Sequence, residues 1–399
     1  MTKSVFAYRN GTLCVEALPL VELAEEIDTP FYCTSVKQLR RNLHSFFAPF
    51  KESPVKINYA MKENGTLAMV RALAQEGSGV DVTCVGELSR AIEANVASQH
   101  ISFSGKSFSH DDVLAVLLAG VDRINVASLS DLLLIEGVAV TLNKSAPIVL
   151  RFDPDNMARH CFDPCSLDSA IQHILKSDSL VLRGLALPRE EKEFSFLEHV
   201  RRIEKLSSFV WDLYRQDISV EHIGLGAGPA FLVQEDKAEK ASLYVRVLDE
   251  MFDNLVCSFS FEPGEILTRG ARALITRVVQ SKKIDNKMEM TVDAYQNKKE
   301  LSKTFSSKQE IMPMREASSS ALFDTMVHDV VGGASEGSVP ACLLPEMMPN
   351  DLLVMTGVCV RGDALTPALG RRPLAPEILV SGARHAVVRR CVAVVEQMA

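Results

Sequence analysis

Short apolar runs alternate with helical segments along the first two thirds of the chain. The first run begins at Val55 and leads to Lys62. Seven others have the length and composition of strands: Val80–Thr83, Ile101–Ser104, Asp122–Val126, Ile148–Phe152, Leu182–Leu187, His222–Gly226 and Ser258–Glu262. Each gap has room for a helix. This alternation predicts an α/β fold with a parallel sheet, because parallel strands need a crossover connection, which is usually a helix.

Two of the helical segments are well marked. Ser109 and Asp112 have the spacing of a capping box, and the apolar run that follows them ends at Gly120. A second segment, from Glu190 to Arg215, carries apolar residues on one face at helical spacing. Eight strands that alternate with helical segments over about 240 residues predict a (β/α)₈ barrel of the TIM type.

A doubly wound sheet is the alternative α/β fold. It normally has a glycine-rich turn after its first strand. Here the residues Met61-Lys62-Glu63-Asn64 follow the first strand, and they include no glycine. The barrel is therefore the favoured prediction.

The pattern changes after residue 266. Helical spacing becomes rare, and β-like runs follow one another: Ala271–Val279, Met288–Val292, Asp351–Val360, Glu377–Val380 and His385–Val395. Short strands are also indicated near the N-terminus, before a helix predicted over Pro19–Glu26. We therefore predict a barrel over residues 30–265 and a C-terminal β-rich domain, over 266–399, that also takes in residues 1–29. A chain of 399 residues is long enough for two such cores.

Composition and charge argue against several classes of function. The formal net charge is −8 and no tract is rich in lysine or arginine, which argues against a nucleic-acid partner. The longest nearly uninterrupted apolar run, Val113–Val121, is too short to cross a bilayer, and the N-terminus has no signal-peptide core. We expect a cytoplasmic protein without a membrane partner. The nine cysteines have no metal-ligand spacing, so no metal site is predicted.

Polar and glycine-rich groups occur where several predicted strands end. Lys62 follows the first strand, and Asp81 lies in the second. A loop over residues 224–228 contains three glycines, and Glu262 and Gly264 end the last strand. A TIM-type barrel has its active site at the C-terminal ends of its strands, so these groups are expected at one mouth. A lysine, a carboxylate and a loop that can bind phosphate are the groups that pyridoxal phosphate requires.

Each of these groups also has a simpler interpretation. A lysine or carboxylate after a strand is often only a solvated charge, and glycines often only permit a tight turn. The functional interpretation is favoured because the groups occur together, each at the end of a predicted barrel strand.

Several motifs resemble those of the diaminopimelate decarboxylases, a family of pyridoxal phosphate enzymes with an alanine racemase-type barrel. They occur in the family's order: Tyr59–Asn64, Gly79–Val82 with Gly86–Leu88, Phe103–Lys106, Ile124–Val126, Glu262–Gly264 and, near the C-terminus, Arg372–Val380. The resemblance extends over nearly the whole chain. It implies the barrel and the β-rich domain that the sequence pattern predicts.

The resemblance implies that six residues bind pyridoxal 5′-phosphate: Lys62, Asp81, Gly226, Gly228, Glu262 and Gly264. Lys62 would carry the cofactor, and Glu262 would pair with its pyridinium nitrogen. A carboxylate beside that nitrogen keeps it protonated, so that the ring can accept the electrons left when carbon dioxide departs.

The implied reaction is the decarboxylation of meso-2,6-diaminopimelate to L-lysine, in lysine biosynthesis. Ser335 and Glu336 align with the family's Cys-Glu-Ser loop and would be catalytic together with Lys62. In the family this loop reaches the active site of a second subunit. A homodimer with shared active sites is therefore implied, with residues Gly332–Ser338 at the interface.

Other positions differ from the family's motifs. Ser335 replaces the proton-donating cysteine, Glu265 replaces an arginine, and Pro188-Arg189-Glu190-Glu191 replaces His-Ile-Gly-Ser. Arg189 and Arg269 are the candidates for a replacement cation. These differences indicate impaired activity. They leave two alternatives open: a non-catalytic relative that acts by binding a partner, and a decarboxylase of another amino acid.

Overall fold

A computed structural model describes residues 4–50, 55–105, 107–155, 161–189, 194–285, 287–294, 310–316, 321–329, 338–358 and 375–390. The chain forms two units. The β unit consists of Met1–Leu39 and Thr268–Ala399, and the barrel unit of Arg40–Leu267. Within the described ranges, none of the helices is both long and apolar enough to span a bilayer.

The N-terminal region begins with a three-stranded antiparallel sheet. Its elements are β1 Phe6–Arg9, β2 Thr12–Val15, β3 Leu18–Pro19, α1 Leu20–Glu26, β4 Phe31–Ser35 and α2 Val36–Phe47. Helix α1 coincides with the helix predicted there. It buries Leu20, Leu23 and Ala24 in the apolar core of the β unit.

The next eight strands form a closed parallel barrel. They are β5 Val55–Ala60, β6 Gly79–Val82, β7 Ile101–Phe103, β8 Arg123–Val126, β9 Ala146–Arg151, β10 Leu180–Ala186, β11 His222–Gly224 and β12 Ser258–Phe261. Strands that are consecutive in the chain are neighbours in the barrel, and β12 pairs with β5 to close it. All eight coincide with predicted runs, so the predicted (β/α)₈ fold is confirmed.

Helices follow the barrel strands in turn. They are α3 Leu67–Ala74, α4 Val85–Glu93, α5 His110–Ala119, α6 Leu129–Leu142, α7 Pro164–Lys176, α8 Phe196–Tyr214, α9 Ala238–Met251 and the single turn α10 Glu265–Thr268. Short 3₁₀ turns lie at Ala48–Phe50, Ser98–His100, Ala230–Val233 and Glu235–Lys237. The predicted capping box is present at α5: the Ser109 Oγ accepts from the Asp112 N–H, and the Asp112 carboxylate accepts from the Ser109 N–H. Gly120 ends this helix with a φ of 66°.

Helix α8 begins later than the amphipathic pattern predicts. The pattern starts at Glu190, whereas the helix starts at Phe196. The reason is a second capping box: the Ser195 Oγ accepts from the Glu198 N–H at 3.3 Å, and the Ser195 N–H donates to the Glu198 carboxylate at 2.7 Å. These bonds satisfy N–H groups of the first turn, so the helix begins after Ser195.

The β unit contains the remaining strands. They are β13 Arg272–Ile284, β14 Lys287–Val292, β15 Ile311–Pro313, β16 Leu322–Asp329, β17 Ser338–Pro345, β18 Leu352–Thr356, β19 Glu377–Ser381 and β20 Arg384–Arg389. Strand β13 pairs with β4, β14 and β18. The sequence pattern did not predict β15, β16 or β17. Strand β17 contains Pro340 and Pro345, and proline normally argues against a strand because it lacks an N–H donor.

Strand β4 corrects the predicted domain boundary. The sequence pattern assigns residues 30–39 to the barrel. However, β4 pairs antiparallel with β13 and parallel with β19, and the side chains of Phe31 and Cys33 are buried in the core of the β unit. These hydrogen bonds and this burial place the segment in the β unit, whose boundary lies between Leu39 and Arg40.

Candidate active site

Lys62 lies two residues beyond β5, in a turn at the C-terminal end of the barrel. The backbone before it is bonded to the neighbouring strand ends on both sides. The Ala60 N–H donates to the Pro263 carbonyl and the Met61 N–H donates to the Asp81 carbonyl, each at 3.0 Å. These bonds fix the partly buried Lys62 between the ends of β6 and β12.

Asp81, in β6, is completely buried. Its Oδ1 accepts hydrogen bonds from the Ser102 Oγ at 2.9 Å and the Ser104 Oγ at 2.5 Å. Its Oδ2 accepts from the Arg189 Nη1 at 2.8 Å. Arg189 follows β10, which is opposite β6 in the barrel. This ion pair therefore crosses the barrel mouth.

Glu262 follows β12 and is also buried. Its Oε2 accepts from the Arg151 Nη2 at 2.7 Å, and its Oε1 accepts from the Asn125 Nδ2 at 3.0 Å. Its backbone N–H donates to the Gly226 carbonyl at 2.7 Å. Arg151 ends β9 and Asn125 lies in β8, so residues from two other strands fix the position of this carboxylate.

Ser104, just beyond β7, connects the two ion pairs. Its hydroxyl donates to Asp81 and accepts from the Arg151 Nη2 and the Asn125 Nδ2, each at 2.8 Å. The donor and both lone pairs of the hydroxyl are thus used. The two carboxylates belong to one hydrogen-bonded network.

The two carboxylates have opposite pKa shifts. Burial raises the pKa of Asp81 to about 6, and the charge of Glu262 acts in the same direction. Arg189 and Arg151 oppose this shift only in part. Burial acts to raise the pKa of Glu262 as well, but the positive charges of Arg151, Arg189 and Arg123 outweigh it and hold this pKa below its usual value. Glu262 is therefore ionised at neutral pH, while Asp81 can take up a proton in mildly acidic solution.

The loop over residues 224–228 presents backbone donors. Gly226 and Gly228 have φ values of 64° and 75°, which glycine adopts without strain. Within the part of the chain that the structure describes, the N–H groups of residues 226–228 donate no hydrogen bond. Three successive N–H groups that lack an acceptor form a site for an anion such as phosphate.

Close packing explains why Gly264, the third glycine of the predicted site, has no side chain. A side-chain carbon at Gly264 would collide with the side chain of Glu63, which is buried against it. Gly264 thus allows the chain after β12 to lie close to the turn that carries Lys62. Its predicted contact with the cofactor stays a prediction.

The structure brings the six predicted cofactor residues to one end of the barrel. The loop Gly332–Ser338 is different: residues 332–337, with Ser335 and Glu336, lie outside the described residues, and their roles stay predictions. Glu265 is exposed and is the first residue of α10.

Sequence reasoning missed Arg151 and the role of Ser104 and Asn125. Each is a polar residue inside or directly after an apolar run, and a buried charge such as that of Arg151 needs a partner. That signal was available in the sequence. The identity of the partner was not, because Arg151 and Glu262 are distant in the chain and meet only when the barrel closes.

Comparison with known proteins agrees with this geometry. Residues 36–170 match the pyridoxal binding domain of pyridoxal-dependent decarboxylases. The diaminopimelate decarboxylases of Zymomonas mobilis and Vibrio cholerae are each 26% identical to this chain. Each alignment covers 96% of this chain, with 95% of the Zymomonas protein and 94% of the Vibrio protein.

Two solved structures have a similar fold. The diaminopimelate decarboxylase of M. jannaschii has a TM-score of 0.89 and 21% identity, over 99% of this chain and 96% of that one. The Helicobacter pylori enzyme, complexed with L-lysine, has a TM-score of 0.83 and 22% identity, over 94% of this chain and 97% of that one. At these identities the likeness concerns the fold.

The residues at the barrel mouth fit pyridoxal phosphate. Lys62 provides an amine, the N–H groups of residues 226–228 provide an anion site, and Glu262 provides an ionised carboxylate. Each oxygen of that carboxylate accepts one side-chain hydrogen bond and has capacity for another. With the matches above, these features make the chain similar to the diaminopimelate decarboxylases over nearly its whole length, with a pyridoxal binding domain matched over residues 36–170.

Proposed function

We propose that the protein removes the carboxylate from one α-carbon of meso-2,6-diaminopimelate and releases L-lysine. The observation that carries the proposal is the position of Lys62 between the ends of β6 and β12, at the same barrel end as Glu262 and the donors of residues 226–228. Relatives named diaminopimelate decarboxylase, aligned over nearly the whole chain, support this choice of substrate.

The side chains of the mouth have distinct proposed roles. Pyridoxal phosphate, when bound, supplies a ring that accepts the electron pair released with carbon dioxide. Lys62 would hold it covalently, the N–H groups of residues 226–228 would bind its phosphate, and Glu262 would accept the hydrogen bond of its pyridinium N–H. Arg151 supports that role, because its charge favours the ionised form of Glu262.

Binding of the cofactor is the first part of the proposal to test. After incubation with pyridoxal phosphate and reduction with borohydride, we expect the label on the peptide that contains Lys62. The variant Lys62→Arg should lose the label. Lys56→Gln is the matched control, because Lys56 is in the same strand and pairs with Asp122. No label at Lys62 with millimolar cofactor would contradict the proposal.

The second part is the reaction. Decarboxylation requires a proton at the carbon that loses carbon dioxide. Ser335 and Glu336 are the proposed catalytic residues, and a hydroxyl is a weaker acid than a thiol. Because the proposed acid is a hydroxyl and because the acidic Glu265 replaces an arginine, we expect lysine release well below about 10 s⁻¹, a usual enzyme rate. If the protein instead decarboxylates another amino acid, it is a decarboxylase of that amino acid. A bound cofactor without any turnover would favour the non-catalytic relative.

The proposal includes a homodimer in which Ser335 and Glu336 serve the partner's site. Sedimentation at micromolar concentration should therefore give a dimer. A second test mixes an inactive Lys62→Arg protein with an inactive Glu336→Gln protein. Recovery of part of the lysine release is expected if sites are shared, because a mixed dimer has one intact site. No recovery from an exchanging dimer would contradict sharing.

A further inference from the structure

Arg189 is a partly buried cation at the barrel end that carries Lys62. Its side chain is 10% exposed, and its Nη1 lies 2.8 Å from the Asp81 Oδ2. Among the residues that the structure describes, Asp81 is its hydrogen-bond partner and no other acceptor binds it. A guanidinium has five N–H donors. Arg189 therefore has donors available for a further acceptor.

Arg189 also lies beside the loop over residues 224–228. A side-chain carbon added at Gly226 would be 2.8 Å from the Pro188 carbonyl oxygen and 3.8 Å from the Arg189 Cα. The segment that carries the guanidinium thus adjoins the loop in which the N–H groups of residues 226–228 have no acceptor among the described residues. A cation and several N–H donors at one barrel mouth each favour an anion.

The other charged groups of the mouth are less suited to an incoming anion. The Arg151 guanidinium already donates to Glu262 and to Ser104. Glu265 is an exposed acid. Among the residues that the structure describes, Arg189 has a single hydrogen-bond partner and belongs to the segment that adjoins the loop over residues 224–228.

We infer that Arg189 binds an anionic group of the ligand while it stays paired with Asp81. The inference rests on the proposed function and specifies how its site recognises an oxyanion. Two groups share that chemistry: the phosphate of pyridoxal phosphate and a carboxylate of the amino-acid substrate. A planar guanidinium binds both through parallel hydrogen bonds.

Whether Arg189 binds the phosphate is tested with a pair of cofactors. Dissociation constants are measured for pyridoxal phosphate and for pyridoxal, which lacks the phosphate, and their ratio is compared between variants. If Arg189 binds the phosphate, Arg189→Gln lowers the preference for pyridoxal phosphate by about 10- to 100-fold, the value of one or two charge-assisted hydrogen bonds. Arg189→Lys should retain part of the preference, because it keeps the charge.

Whether Arg189 binds the substrate carboxylate is tested with a pair of amines, which are added to the cofactor-loaded protein. L-lysine carries a carboxylate, and cadaverine is the same molecule without it. If Arg189 binds the carboxylate, Arg189→Gln lowers the preference for lysine over cadaverine by a similar factor and leaves the cofactor ratio unchanged.

Two variants separate anion binding from a structural role. Asp81→Asn removes the ion pair but keeps the guanidinium, so it should retain the anion preference that Arg189→Gln loses. Arg183→Gln is the matched control: Arg183 is in β10, pairs with Glu221 at 2.6 Å, and is partly exposed. It should leave both ratios unchanged. Equal loss in Asp81→Asn and Arg189→Gln would show a structural effect of the ion pair and overturn the inference.

A cofactor-free measurement keeps the inference testable if the proposed function fails. Inorganic phosphate and acetate are compared with chloride at equal ionic strength for their effect on the melting temperature of the apoprotein. If the protein binds no pyridoxal phosphate, the proposed function is wrong. Even then, a shift of the melting temperature by phosphate or acetate that is lost in Arg189→Gln supports the inference. If neither anion shifts the melting temperature, or if both proteins show the same shift, the inference is overturned. If the cofactor binds, two unchanged ratios in a folded Arg189→Gln protein overturn it.

Discussion

At the scale of single residues, the environment decides the charge of the two buried carboxylates. Asp81 has one arginine partner and two hydroxyl donors, and its pKa is raised to about 6. Glu262 has an arginine and an amide as partners, and its pKa is lowered. The same network therefore contains one carboxylate that is readily protonated and one that stays ionised.

The raised pKa of Asp81 predicts a particular dependence of stability on pH. Between its usual value of 3.8 and about 6, the folded protein binds more protons at Asp81 than the unfolded chain does. The contribution of Asp81 to the free energy of unfolding should therefore fall as the pH rises through this window, by on the order of 3 kcal/mol. Urea unfolding can be followed by the fluorescence of Trp211, the single tryptophan, which lies in α8.

The control for this prediction is Asp81→Asn, which should remove that part of the slope. Glu262 contributes with the opposite sign, because its pKa is lowered: its stabilisation is lost as the pH falls through its folded-state pKa. His199 and His222 also contribute with the opposite sign, because burial lowers their pKa values. The difference between the two proteins, and not the slope of either one, therefore reports Asp81. The same slope in both proteins would contradict the assignment.

A second residue-scale prediction concerns Gly226. Alanine at this position would have a strained φ and a Cβ only 2.8 Å from the Pro188 carbonyl oxygen. We expect Gly226→Ala to destabilise the barrel unit by about 1–3 kcal/mol and to weaken cofactor binding. Gly137→Ala is the matched control, since Gly137 lies within α6 with open space around it. That change should stabilise the protein by up to about 1 kcal/mol.

At the scale of elements, the start of α8 depends on one side chain. Ser195→Ala removes the acceptor for the Glu198 N–H, so we expect a loss of about 0.5–2 kcal/mol in unfolding free energy. Trp211 in the same helix reports the transition. Ser242→Ala is the control, because that exposed hydroxyl binds a carbonyl within its own helix, α9. An equal effect of the two changes would argue against the capping role.

The elements also show what the sequence pattern can predict. The eight barrel strands were predictable because strands buried on both faces are nearly continuous apolar runs between helical segments. The apolar run over residues 31–34 has the same appearance, yet β4 belongs to the β unit. Only its pairing with β13 and β19 reveals this, and pairing between distant segments leaves no local signal.

In the candidate site, too, some features could be predicted from the sequence and others could not. The positions of Lys62, Asp81 and Glu262 at one barrel end were predictable, because each occurs at or near the end of a predicted strand. Their partners were not. The bond between Arg189 and Asp81 depends on β10 and β6 being opposite each other, which follows from the closed order of eight strands.

At the scale of the whole molecule, a buried ion cluster joins strands from different parts of the β unit. Glu377 in β19 is fully buried, 3.3 Å from the Arg272 Nη2 and 3.8 Å from the Arg389 Nη1. Glu377→Gln would leave the buried Arg272 and the partly buried Arg389 without this charge, at a cost of about 3–5 kcal/mol. Hydrogen exchange of peptides from β4, β13 and β19 should become faster. Glu289→Gln, at an exposed position of β14, should leave their exchange unchanged.

The pairing of β4 with β19 has a consequence for the order in which the chain folds during synthesis. Tyr32 pairs with Glu377, and the whole barrel unit lies between them in the chain. The ribosome therefore releases a complete set of barrel strands, and then β13, while β4 still lacks its other neighbour, β19. We expect nascent chains that stop near residue 300 to contain a protease-resistant barrel and a cleavable N-terminal segment, since local pairings form before distant ones. A protected N-terminal segment in such chains would contradict this order. The exposed edge of β4 would then be the point at which newly made chains are most prone to pair with one another.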